Sequence, residues 1–137
     1  MSGAVEGVAL LHAARAAEKE QALFYRQLAA SAELADDAVA VERLNGLLAD
    51  EQHHLSRITA RLLELGEAVT DLSGVEAPAA QLSGWERVAR SREADEIARY
   101  EALAALGWDD ATRALVDEIL QAERNHEREL GGKWMMA

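Results

Sequence analysis

Apolar residues recur at helical spacing along four stretches of the chain, about residues 4–34, 38–65, 83–106 and 110–130. Local signals bound these stretches. Asp36 and Asp37 can cap the second, and Gly66 ends it. Ser83 is placed to cap the third, which Gly107 follows. Asp109 and Asp110 open the fourth, which stops before Gly131 and Gly132, and Gly46 slightly weakens the second from within. A few residues join the first stretch to the second and the third to the fourth, so each pair predicts an antiparallel hairpin. The connection 66–84 is far longer and holds the one proline, Pro78. A 25-residue helix is roughly 38 Å long, and such a linker can reach roughly 60 Å. It can therefore cross the whole bundle. The expected architecture is all-α: a single four-helix domain over 1–137, made of two hairpins joined by a long crossover.

The hairpins read as copies of one unit. Glu18 and Tyr25 recur 75 positions later as Glu93 and Tyr100, and Glu51-Gln-His-His54 recurs 72 positions later as Glu123-Arg-Asn-His126. The repeat is too long for a solenoid and suits a pseudo-two-fold bundle.

Composition agrees with helices. Ala, Leu, Glu and Arg abound, aromatics are 4% of residues, and turn formers are too few for an all-β fold. With 14 basic and 25 acidic residues the net charge is −11, which disfavours nucleic acid and anionic membranes as partners. The absence of Cys excludes thiol chemistry, disulfides and iron–sulfur clusters. No secretory signal and no run long enough to span a bilayer is read, so a cytoplasmic protein is expected.

The unusual feature is where carboxylates fall. Residues seven apart share a helix face. Glu51 lies midway between Leu44 and Ile58, with Leu65 on the same stripe, and Glu123 lies midway between Val116 and Leu130. Glu18 lies between Leu11 and Tyr25, and Glu93 follows Ala89 and precedes Tyr100. His54 and His126 follow their glutamates by three, so each pair shares a face. Buried carboxylates without partners cost several kcal/mol each, about the size of the effective penalty for a buried ion. No matching set of core Lys or Arg exists to neutralise them. Two divalent cations resolve the conflict, and Glu with His suits iron, manganese or zinc better than calcium. The set Glu18, Glu51-x-x-His54, Glu93, Glu123-x-x-His126 matches the di-iron and di-manganese carboxylate bundles, in which two helices give a Glu each and two give Glu-x-x-His.

On these residues, on Phe24-Tyr-Arg-Gln-Leu-Ala29 after Glu18, and on Glu96 three after Glu93, the chain resembles the rubrerythrin-type di-iron domains of the ferritin-like superfamily. The resemblance implies two iron ions, which Glu51 and Glu123 would bridge or chelate at the centre. Glu18 and Glu93 would be terminal ligands, and His54 and His126 would cap one ion each. Glu96, whose counterpart in the first repeat is Gln21, would exchange with His54 when the redox state changes. Tyr25 and Tyr100 are either plain core aromatics or donors to ligand carboxylates. The implied activity is reduction of hydrogen peroxide at a diferrous site, and a homodimer is implied as well. No cysteine-ligated electron-transfer domain accompanies the helices, so an external donor would supply electrons. Alternatives are a ferroxidase acting with dioxygen in iron handling, an oxygenase, and a non-catalytic metal-stabilised bundle. His12 and His53 read as solvated, and Glu20 and Glu33 as surface charges. Trp85, Trp108 and Trp134 read as packing near helix ends.

Overall fold

A computed structural model describes residues 2–131, with side chains from residue 6 onward. Four helices follow one another: α1 (Ser2–Leu34), α2 (Ala38–Glu64), α3 (Trp85–Ala104) and α4 (Asp110–Gly131). α1 packs along α2 and α3 along α4, and the two hairpins meet through thinner α1–α3 and α2–α4 contacts. The all-α bundle of two hairpins with a long loop between α2 and α3 is the architecture expected from the periodicity.

Most local stops and starts follow from the residues named above. The Asp37 carboxylate accepts a hydrogen bond from the Ala40 amide at 3.1 Å, capping α2. Asp109 does the same for the Thr112 amide at 2.9 Å, opening α4. Gly66, at φ 83°, takes the left-handed conformation that closes α2. The start of α3 differs from expectation. Ser83 does not cap it; Gly84 stands at the N-cap with φ 69° and no side-chain cap, so the helix begins at Trp85. Burial of Trp85, over which the Arg43 guanidinium sits at 5.0 Å, fixes this start instead. Gly132 and Trp134 lie outside the described residues.

The crossover is tied to α1. His12 bonds Glu67 at 3.1 Å, and Arg15 donates to the Thr70 carbonyl and to Thr59 Oγ1, both at 2.8 Å. His12 is thus half-buried and partnered, not solvated as expected. The chain then passes Val69, which packs on one apolar cluster, and reaches Ala80 and Leu82, which pack on the other.

Those two clusters organise the interior. One gathers Phe24, Leu28, Leu44, Leu47, Trp85 and Leu130, and the other Leu11, Ile58, Leu62, Leu103, Leu115 and Ile119. Each fully buried side chain of this kind contributes roughly 1.5–3 kcal/mol. Along every helix the glutamates of interest fall between a residue of one cluster and a residue of the other. A polar layer therefore crosses the middle of an otherwise apolar core. Among the described residues, no helix is long and apolar enough to cross a membrane.

Candidate metal centre

The polar layer contains Glu18, Glu51, Glu93 and Glu123, all fully buried, with His54, Glu96 and His126 nearly so. One helix supplies each of the four central carboxylates. Their ligand atoms converge into two overlapping groups: Glu18, Glu51, His54 and Glu123, and Glu51, Glu93, Glu123 and His126. Within each group the four atoms lie within 4.8 Å of one another, and Glu51 and Glu123 belong to both. The structure thus brings together six of the seven ligand candidates read from the sequence. The seventh, Glu96, is buried beside them but lies outside both groups.

Two tyrosines brace the layer from opposite sides. Tyr25 on α1 donates to Glu93 Oε1 on α3, and Tyr100 on α3 donates to Glu18 Oε1 on α1, each at 2.6 Å. The bonds are related by the repeat, and each crosses from one hairpin to the other. Each leaves its glutamate's second oxygen turned loose inside the core: Glu18 Oε2 and Glu93 Oε2 have no hydrogen-bond partner. Of the two readings for the tyrosines, hydrogen bonding to the carboxylates is the one the geometry supports.

Unpartnered atoms recur through the whole layer. Both oxygens of Glu51, both of Glu123, one of Glu96, and Nδ1 of His54 and of His126 are buried without a hydrogen bond. His54 Nδ1 lies 3.2 Å from Glu123 Oε1 and 3.8 Å from Glu18 Oε1. His126 Nδ1 lies 3.4 Å from Glu93 Oε1 and 3.5 Å from Glu51 Oε1. These are acceptors and lone pairs aimed at common points. Leaving so many buried polar atoms unpaired is strongly unfavourable, whereas a divalent cation at each point would satisfy several at once. The donor set therefore fits metal ions.

Titration behaviour reflects the same crowding. Burial, reinforced by the Glu18 charge, holds Glu51 well above the usual carboxylate range. Burial and the neighbouring Glu93 push Glu123 up to about 12. Burial, then the charge of Glu18, raises Glu96 to about 8. Glu93 is the exception. Burial would raise it, but the close approach of His126 and Glu123 and the hydrogen bond from Tyr25 outweigh that and hold it low. The imidazoles diverge. Burial and the charge of His126 drive His54 down to about 4. For His126 burial also acts downward, yet Glu93 and Asp50 overcome it and lift the ring to about 9.

Asp50 is a participant that sequence reading missed. Its carboxylate lies 2.8 Å from His126 Nε2, leaving Nδ1 to face the cluster. A partner on the outer ring nitrogen fixes tautomer and orientation of a metal-binding histidine. The signal was present, since Asp50 directly precedes Glu51, but it sits on the exposed side of α2 and bonds across to α4. His53, Glu20 and Glu33 are exposed, as expected. Trp85 packs in the core, and Trp108 donates its indole N–H to the Leu103 carbonyl at 2.8 Å, so both serve packing.

Comparison with protein-family models, with curated proteins and with solved structures finds no match to this chain.

Proposed function

We propose that the protein is a di-iron carboxylate protein of rubrerythrin type that reduces hydrogen peroxide, using electrons from an external donor. One observation carries the reading: two four-residue groups of buried Glu and His share Glu51 and Glu123, whose four carboxylate oxygens have no other partner. In this reading Glu51 and Glu123 would help hold both ions, Glu18 and His54 would complete one site, and Glu93 and His126 would complete the other. Two bound ferrous ions would supply one electron each, which with two protons convert one hydrogen peroxide to two waters. Manganese or zinc fits the same donors.

The chain's own residues then have defined tasks. Tyr25 and Tyr100 each hold one oxygen of Glu93 and Glu18 by an O–H donor, so the other oxygen keeps its direction. Asp50 accepts the Nε2–H of His126 and holds the ring. The two apolar clusters above and below exclude water from the layer. Glu96 stands on the Glu18 side as a further carboxylate.

A ferroxidase is the second reading, supported by the net charge of −11, which draws cations toward the protein. Metal analysis with anaerobic ferrous loading tests both. Two irons per chain, oxidised much faster by peroxide than by dioxygen, is the result expected of the peroxidase. Faster oxidation by dioxygen with continued iron uptake would favour the ferroxidase. If no metal binds, and Glu51→Ala leaves stability unchanged, neither reading stands.

A further inference from the structure

The bundle has two thin seams. α1 packs closely along α2 and α3 along α4, so the polar layer is least covered by helix where the hairpins meet, between α1 and α3 and between α2 and α4. The two apolar clusters close the ends of the layer. An ion crossing them would lose its hydration and gain no partner. The seams themselves are covered unequally. The crossover runs down the α1–α3 side. Its Thr70 carbonyl bonds Arg15 of α1 at 2.8 Å, and Val75 borders the space between Ala17 of α1 and Arg99 of α3. Ala79 and Ala80 border the next space, between Phe24 of α1 and Val88 of α3. That strap lies on the opposite side of the bundle from the α2–α4 seam.

The α2–α4 seam carries the two histidines. Of the six converging ligands, only His54 on α2 and His126 on α4 reach the surface at all, 5% and 6% exposed against 0% for each of the four glutamates. Asp50 stands one turn before His54 on α2, so the two are neighbours on the helix. Its carboxylate is 56% exposed while it bonds His126 Nε2 at 2.8 Å. Asp50 thus faces solvent and site together. The two rings are not held alike. Asp50 pins His126, and a carboxylate on the outer nitrogen fixes such a ring. The equivalent position on α4, 72 residues later, is Ala122, which is half-buried and cannot bond His54. By the symmetry of the repeat, a methyl group stands where a brace would be. His54 is therefore the ring with freedom to turn.

We infer that metal ions load through the α2–α4 seam, where Asp50 draws the cation to the mouth and the unbraced His54 ring turns aside to admit it and back to bind it. The inference rests on the metal reading and holds whichever substrate the loaded centre takes. It gives the asymmetry of the two halves a task, since His126 stays in place while His54 moves.

Loading is timed by the rise of cobalt(II) absorption after rapid mixing with metal-free protein. Asp50→Asn keeps an acceptor for His126 and removes the charge. It should slow entry about tenfold at low salt, and the gap should close as salt is raised. Ala122→Leu sets bulk against the His54 ring. It should slow entry about tenfold as well, with two ions still bound at equilibrium. Ala17→Leu fills the α1–α3 cavity of about 290 Å³ and should leave the entry rate unchanged. Unchanged rates in both α2–α4 variants, or slowing by Ala17→Leu alone, would overturn the route. The natural sequence gives an independent reading should Ala122→Leu fail to fold. Carbon-13 relaxation dispersion on metal-free protein should find the His54 ring exchanging on the μs–ms timescale and the His126 ring still. Two equally still rings would remove the gate. If the natural sequence binds two cobalt ions and these results are negative, the route alone fails. If it binds none, the metal reading beneath the route fails.

Discussion

The two halves of the candidate metal centre come from one repeated unit, yet they are supported differently. His126 is braced by Asp50 at 2.8 Å. The position 72 residues after Asp50 is Ala122, whose methyl group can accept nothing, so α4 offers His54 no equivalent brace. Conversely, α3 carries Glu96 where α1 carries Gln21. The tyrosine braces, by contrast, are kept in both halves at the same 2.6 Å. The tyrosine braces have stayed symmetric, and the surroundings of the two ligand groups have diverged. In one half the imidazole is held by a carboxylate. The other has an imidazole without such a brace and an added buried carboxylate, Glu96, beside Glu18.

The largest expected effect tests the shared core of the comparison. Glu51→Ala or Glu123→Ala removes a residue common to both groups and should abolish binding of both ions. His54→Ala or His126→Ala touches one group and should leave one ion bound. Cobalt(II) or iron titration counts them, and a single ion lost from Glu51→Ala would mean that it does not bridge.

Next in size is the brace itself. Asp50→Ala should weaken binding at the His126 half by about 10–100-fold, the usual cost of removing a carboxylate behind a metal-binding histidine. Isothermal titration should then show two unequal steps whose order is exchanged relative to the natural sequence. Ala122→Asp should tighten the other half. Equal losses in both steps would remove the asymmetry from the account.

How much of this was legible in the sequence depends on whether the cause is local. Helix boundaries set by Asp37, Gly66 and Asp109 were readable because each cap acts within a few residues. Glu18, Glu51, Glu93 and Glu123 were readable because a charge on an apolar stripe stands out against its helical neighbours. The Gly84 start of α3 was not, since burial of Trp85 decides it through packing. Asp50, and Arg92 beside the layer, were not readable as partners of the layer either. Each acts across helices, Asp50 on a residue 76 positions away and Arg92 on one 71 away. Helical periodicity places a side chain on a face but does not say which face of another helix it meets. Tyr25 and Tyr100 lay between these cases: their register was visible, while their exchange of partners between hairpins needed the fold.

The smallest expected effect is in the pH dependence of the two histidines, and it separates the halves without any metal. His126, raised to about 9 chiefly by Glu93 and Asp50 against its burial, binds more protons folded than unfolded. Its contribution to stability is complete below its ordinary value of 6.5 and is lost as pH rises through 9. His54, lowered to about 4 by burial, acts oppositely, and its contribution grows as pH rises from 4 to 6.5. Glu96, raised to about 8, contributes below 4.5 and loses that contribution as pH climbs through 8. Between pH 6.5 and 9 the His54 gain is complete while the His126 and Glu96 terms fall, so metal-free protein should melt at lower temperature at pH 9 than at pH 6.5. Metal-loaded protein should show a weaker fall or a rise, because its ligands bind as deprotonated groups. Asp50→Asn removes a charge that keeps His126 protonated, so the metal-free variant should lose less stability over that interval than the natural sequence. Parallel melting curves for the two would show that Glu93 alone holds the proton on His126, and the brace would then matter only once an ion is bound.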